Sequence, residues 1–421
     1  MNRFQQSNGN GNGNGNGAGT PMRLVIVYFG PFDVNSAIQA FRLANDLIEL
    51  GWRVTFAAVG DPGSIRNVGD PRLECVTHHD LAGVVERSRQ GDETTLVYAW
   101  TPRENVRRAT VGLAGSLGVP YVVHLEDNEP YLYEAATGRS VEEAMRRPDA
   151  AVTPMPLIDP RRWAGFIRDA AALTMIVDEL DHFNFGGRPT HLFRPAIDPD
   201  RFRPDLTPPV SRAALGIDDD EFVIVYHGTV HFANHHEMLS LYLAIKLLQR
   251  RGRRVRLVRI GHTDLGGVDP RAFGALRDGV VELGPIGWRD IPGYLALADG
   301  FVQPGEPDAF NTYRLPSKLP EFLAMGRPVV LPACNIGLEL TDGENALLLE
   351  WGDGLEIAAR VEQLIDDPPL RERLGAAARS FALEQPTGNQ SSLGVARFFN
   401  RVAGMARPVV AAPTATQQRV S

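Results

Sequence analysis

Lys318 and Glu321 stand one helical turn apart in LPSKLPEFLAMGRPVVLP, residues 315–332, a spacing that sets an ammonium and a carboxylate at one mouth of a short helix. Free N–H groups, the positive end of the helix dipole and an ammonium suit a phosphate. A carboxylate one turn away suits sugar hydroxyls. Together these residue types point to a nucleotide-sugar site, with Glu321 on ribose hydroxyls and Lys318 on a diphosphate that gains charge as the sugar leaves. Each residue also has a plainer reading. A first-turn glutamate stabilises the dipole by about 0.3–1 kcal/mol, and a lysine can simply be solvated, although a cation there opposes the dipole.

The elements around this pair are legible. Ser317 has the side chain expected of an N-cap, and Pro320 falls in the first turn, where its missing N–H does little harm. Leu319, Phe322, Leu323 and Met325 give an apolar face, and Gly326 is expected to take the left-handed stop. VVLP, residues 329–332, is then a short continuous apolar run, typical of a strand covered on both faces.

Other candidates sit where strands end. His124 closes YVVH and precedes Glu126 and Asp127, and strand ends in open α/β sheets face the ligand crevice; a structural histidine capping the strand is the alternative. Gly30, Asn35 and Ser36 form the first strand-to-helix loop, suited to an acceptor or to phosphates, or to a plain turn with Ser36 as N-cap. The dinucleotide fingerprint G-x-G-x-x-G is absent there, which counts against a nicotinamide-dependent dehydrogenase. Gly228 and Thr229 end another strand and can bring backbone close to a diphosphate. His227, His231, His235 and His236 have no acidic ligand at a diagnostic spacing and no H-E-x-x-H, so no metal is expected. Asn234 and the adjoining histidines suit phosphate contacts instead. Arg250, Arg251, Arg253, Arg254 and Arg256 fit a helix C-terminus in water or, less simply, an anionic membrane surface.

The 421 residues predict two domains. Hydrophobic content of 43% with 22% charged residues is that of a globular protein, and a net charge of −8 argues against nucleic-acid binding. Cys75 and Cys334 make no disulfide or metal framework, which fits a reducing cytosol. No apolar run approaches the roughly 18–20 residues of a membrane span, and a secretory signal is not evident. Residues 1–21, with their Asn-Gly repeat, and 408–421 read as disordered tails. Between them strand and helix patterns alternate, which predicts parallel sheets covered by helices. The expected units are a first Rossmann-like domain over 22–195, a linker over 196–209, a second Rossmann-like domain over 210–385, and a helix within 386–407 that packs back on the first.

The ordered segments resemble the retaining GT-B glycosyltransferases, a family with many bacterial polysaccharide and glycolipid enzymes. PSKLPEFLAMGRPVV is similar to that family's donor-site helix and strand, and NIGLELTDGENALLLEWGD to its G-x-E-x-I-x-D-G-x-N-G loop. PAIDPDRFRP, residues 195–204, is similar to its interdomain linker, and LGPIGWRDIPGYLALADGFVQP to the segment passing the nucleobase. The family's paired glutamates, eight residues apart, would place the first at position 313, where this chain has Tyr313. The family's Arg and Lys after the second domain's first strand give way here to HGTVHFANHHE. The chain resembles a branch with a variant donor motif, read here as S-K-x-x-E over Ser317, Lys318 and Glu321.

The resemblance implies an α/β GT-B fold, two doubly wound domains facing a cleft. It implies transfer of a sugar from a nucleotide diphosphate sugar to a hydroxyl acceptor on a glycan or lipid, with retention and with no metal or cofactor. The leaving diphosphate would help deprotonate the acceptor. His124, Lys318 and Glu321 would be catalytic, His124 close to the transferred sugar. Gly228, Thr229, Asn234, Gly284, Ile286 and Ser317 would join Lys318 and Glu321 around the donor, and Gly30, Asn35, Ser36 and Asp127 would meet the acceptor. A cytoplasmic enzyme is implied, with peripheral association at the inner membrane face left open. The alternatives are an inactive GT-B scaffold that binds carbohydrate or a partner, and a sugar-nucleotide epimerase.

Overall fold

The computed structural model describes residues 21–33, 36–146, 156–263 and 271–405. Asn35, the tail from 408 and all but Pro21 of the N-terminal tail lie outside the described residues.

Two runs of alternating strand and helix build the molecule. The first comprises β1 (Met22–Pro31), α1 (Ala37–Glu49), β2 (Arg53–Val59), β3 (Glu74–Thr77), α2 (Leu81–Gln90), β4 (Thr94–Trp100) and α3 (Glu104–Leu117). It continues with β5 (Tyr121–Leu125), α4 (Glu129–Thr137), α5 (Val141–Arg146), α6 (Trp163–Asp169), β6 (Ala172–Met175) and β7 (Thr190–Leu192). The second comprises β8 (Phe222–His227), α7 (His235–Arg250), β9 (Val255–Ile260), α8 (Arg271–Gly274), β10 (Val280–Gly284), α9 (Ile291–Leu295) and β11 (Gly300–Val302). Then follow α10 (Lys318–Ala324), β12 (Val329–Pro332), β13 (Leu347–Leu349), α11 (Gly354–Asp366), α12 (Pro368–Glu384) and α13 (Gly388–Met405).

The strands make two parallel sheets, ordered β3-β2-β1-β4-β5-β6-β7 and β10-β9-β8-β11-β12-β13. Apolar runs such as β1 and β12 form strands because helices cover both faces; all of β12 is buried. Each order reverses once, between β1 and β4, where Tyr28 lies opposite Trp100, and between β8 and β11, where Val225 lies opposite Phe301. In such sheets the crevice outside the carboxyl ends at the reversal is where ligands bind. The last helix returns to the first sheet: Ser392 of α13 donates to Asp46 of α1 at 2.6 Å, and Phe399 packs on Trp52 and Tyr98.

Several expectations change. Ser317 occupies the N-cap position of α10, yet at φ −57° and ψ −20° its backbone is already helical and its side chain caps nothing. Ser36 before α1 behaves likewise, at φ −74° and ψ −1°; its hydroxyl turns to Glu126 instead. The stop at Gly326 is as expected, at φ 66°. The sequence pattern does not mark β3, α2, α4, α5, β7, α8 or α12. In α12 the tandem Pro368-Pro369 looks like a breaker but fills the first turn, where Asp367 supplies the cap. The arginine run at the end of α7 is met by internal acids: Arg253 binds Glu362 and Asp366, Arg254 binds Asp218 and Arg256 binds Glu221. Among the described residues no helix is long and apolar enough to cross a membrane.

Candidate functional site

The second sheet's reversal point is where the sequence-marked charges converge. Strand β8 delivers Tyr226 and His227, β11 leads into Gln303, and α10 opens onto both. Lys318 Nζ lies 3.1 Å from Tyr226 Oη and 3.4 Å from Gln303 Oε1, with its ammonium 4.7 Å from the centre of the Tyr226 ring. Gly228 is at φ 139°, and a Cβ there would meet Lys318 Cε at 2.9 Å. A side chain at position 228 would therefore close the approach to Lys318. The chain is equally tight behind it, since a Cβ on Gly261 would lie 2.4 Å from the Gly228 carbonyl oxygen.

Glu321, in the first turn of α10, faces His227. The carboxylate Oε2 and the imidazole Nε2 are 2.8 Å apart, but both atoms are buried and neither has a hydrogen-bond partner among the described residues. The closeness is thus one of position and charge, not of an aligned bond, and two polar atoms remain for something else. The loop after β8 explains the rest of the pattern. Asn234 donates to the Thr229 carbonyl at 2.9 Å and accepts from His231 N–H at 2.8 Å, so its amide shapes the loop from within. Thr229 itself is exposed. Gly284 ends β10 at φ 69° and Ile286 packs, half-buried, against the core.

The loop from 304 to 314 leads into α10 and is pinned from two sides. Asn311 donates to Glu237 of α7 at 2.6 Å, and Arg314 reaches the same carboxylate at 3.2 Å. Burial raises the Glu237 pKa against the pull of Arg314. From the other side come first-half residues: Tyr131 stacks on Phe310 at 5.2 Å and Asn128 donates to the Ala309 carbonyl. Tyr313, standing where a second glutamate would be, packs on Phe183 at 5.3 Å.

At the first sheet's carboxyl ends the polar groups bind one another. His124 is 1% exposed, enclosed by Trp100 and Phe193, with Nδ1 2.8 Å from Thr174 Oγ1. Ser36 donates to Glu126 at 2.8 Å and accepts from the Trp100 indole at 3.1 Å. Although burial opposes its charge, bonds from His124 and Ser36 hold the Glu126 carboxyl below its usual range. Arg103 binds Glu129 through both oxygens, at 2.9 and 3.0 Å, and Asp127 at 3.4 Å. A Cβ at Gly30 would lie 3.4 Å from the Tyr28 ring. The structure thus brings together Lys318, Glu321 and Gly228, and separately Ser36 with Glu126, but it encloses His124.

Between the halves lies a cavity of about 780 Å³, bordered by Arg42, Asp198, Arg201, Trp288, Ser391 and Ser392. Arg201 lies over the Trp288 ring at 3.3 Å and Arg42 at 4.8 Å. Burial, then the charge of Arg42, lowers the Arg201 pKa.

Known proteins share this framework. HepE from Anabaena, solved with UDP-glucose, superposes with a TM-score of 0.66 at 16% identity, covering 90% of this chain and all of that one. Sucrose-phosphate synthase from Thermosynechococcus elongatus gives 0.65 at 15% identity over 92% of this chain and all of that one. The fold is GT-B. Within this GT-B chain, residues 221–367 match the family model of glycosyl transferases group 1. Among curated relatives, the D-inositol 3-phosphate glycosyltransferase of Streptomyces scabiei is 26% identical over 45% of this chain and 43% of its own length. The lipopolysaccharide core biosynthesis glycosyltransferase LpsD of Rhizobium meliloti is 30% identical over 42% of this chain and 48% of its own. The chain thus spans about half the length of the curated relatives it matches. Lys318, Gly228 and Glu321 lie together at the carboxyl end of the second sheet, beside its reversal point. Sequence reasoning set His227 among the loop histidines and gave no role to Arg42, Arg103, Arg201 or Trp288. For His227 the available signal was its place as last residue of a strand, directly before Gly228.

Proposed function

We propose that this chain transfers a sugar from a nucleotide diphosphate sugar to a hydroxyl acceptor. The observation that carries the reading is the convergence of Lys318, Gly228 and Glu321, whose buried Oε2 faces His227 without a hydrogen bond among the described residues, at the reversal point of the second sheet. An ammonium beside an open backbone turn stabilises a diphosphate as it takes up charge, and a carboxylate oxygen with no hydrogen bond accepts from ribose hydroxyls. Similarity to HepE, whose structure holds UDP-glucose, supports a uridine donor. The curated matches support a glycan, glycolipid or polyol acceptor, lying against the first sheet's strand ends near Ser36 and Asp127. Transfer with retention, the diphosphate drawing the acceptor's proton, needs no side-chain nucleophile and no metal. A cytoplasmic site of action, at the inner membrane face when the acceptor is lipid-linked, completes the reading.

A binding-only scaffold is the second reading, favoured by Tyr313 in place of a glutamate. Transfer and donor-hydrolysis assays with UDP-, GDP- and dTDP-sugars, with and without EDTA, separate the two; a chain that binds donors yet turns over none of them is a scaffold. Glu321→Ala is expected to weaken nucleotide binding about tenfold, equivalent to ~1.4 kcal/mol, by calorimetry. Unchanged affinity in the folded variant removes Glu321 from the site.

A further inference from the structure

We propose that His227 is a second ribose-binding residue, closing with Glu321 a two-point clamp on the cis-diol of the donor nucleotide; this rests on the reading that Glu321 belongs to the donor site. His227 Nε2 and Glu321 Oε2 lie 2.8 Å apart, and vicinal cis hydroxyls present their oxygens at a comparable separation. Both protein atoms are buried and neither makes a hydrogen bond among the described residues, their mutual contact being one of charge alone, an arrangement that costs stability until a ligand supplies the missing bonds. The carboxylate accepts from one hydroxyl. The imidazole nitrogen accepts from the other or donates to it, according to tautomer.

The register of the two elements gives the clamp its neighbour. His227 and Gly228 are consecutive at the end of β8, a step of roughly 3.3 Å in a strand. Glu321 and Lys318 are three apart on α10, a rise of roughly 4.5 Å. His227 faces Glu321 while Gly228 faces Lys318, so the diol pair and the phosphate pair lie side by side, as ribose and diphosphate do in a nucleotide. The His227 ring is held edge-on to Phe322, centroids 5.5 Å apart and planes at 81°, which fixes the direction of Nε2 without engaging it.

The test compares calorimetric affinities for whichever of UDP or GDP binds more tightly and for its 2′,3′-dideoxy counterpart. His227→Ala is expected to weaken the ribonucleotide about tenfold and the dideoxy nucleotide less than twofold. His227→Gln, whose amide reaches the place of Nε2, is expected to keep affinity within about threefold of wild type, and thermal melting establishes that both variants fold. Equal losses for the two nucleotides, or no loss for either, overturn the proposal. If Glu321→Ala loses affinity while His227→Ala does not, only the role of His227 falls. If the unaltered protein binds neither nucleotide, the donor-site reading falls and the clamp with it.

Discussion

The carboxyl ends of the two sheets hold charged groups of similar kinds in opposite states. At the first sheet Arg103 is saturated by Glu129 and Asp127, Glu126 by Ser36, and His124 by Thr174. At the second sheet, among the described residues, the hydrogen bonds of Lys318 go to neutral groups, at 3.1 Å and 3.4 Å, and Glu321 and His227 face each other through buried atoms with no hydrogen bond. A saturated network holds loops in place and is costly to break, because removal of one partner strands a buried charge. An unsaturated one already carries that cost, and ligand binding offsets it. On the proposed reading, the first sheet's charges mainly support structure, while those of the second are left open to a ligand.

The sharpest way to break the contrast is Arg103→Ala. Arg103 is buried with its acids, so its loss is expected to destabilise the fold by about 3–5 kcal/mol, read from urea unfolding. A change below about 1 kcal/mol would mean that the first-sheet network is no more structural than the second. Next comes the pH dependence of the same network. Burial first, then the nearby Asp127 and Glu126, pushes Glu129 up from 4.5 to about 7 in spite of Arg103. The folded protein therefore holds a proton that the unfolded chain releases, and this group's contribution to stability falls as pH rises from 4.5 to 7. Glu129→Gln is expected to flatten that slope, by about 1–3 kcal/mol across the window. Urea midpoints at both ends of the window decide it; an unaltered slope would mean that Glu129 stays ionised in the fold.

These states are also what the sequence could and could not convey. Continuous apolar runs such as those of β1, β8 and β12 identify parallel strands directly, because both faces are covered. The stretch around α10 was legible for the same local reasons, through Gly326 and the Lys318–Glu321 spacing. Saturation is not local. Arg103 and Glu129 are brought together by β4 and β5 lying side by side, and His227 meets Glu321 only because β8 lies beside the α10 entrance. His124 shows the same limit from the other side: its strand-end position predicts a cleft residue, but Trp100 and Phe193 from other elements enclose it. Ser317 and Ser36 had the right side chains for caps, and only the backbone angles show that neither acts as one.

The smallest expected effect tests the second sheet's side of the contrast. Lys318→Ala removes an ammonium whose contacts are long and neutral, so unfolding stability is expected to change by less than about 1 kcal/mol. Affinity for the preferred nucleoside diphosphate should nevertheless drop about tenfold, ~1.4 kcal/mol, while affinity for the bare nucleoside stays put. Parallel calorimetry on the two ligands gives the answer. An equal loss for both would move Lys318 off the phosphates, and a large loss of stability would make it a structural cation like Arg103. A loss confined to the diphosphate is the outcome that only an unsaturated, ligand-directed charge produces.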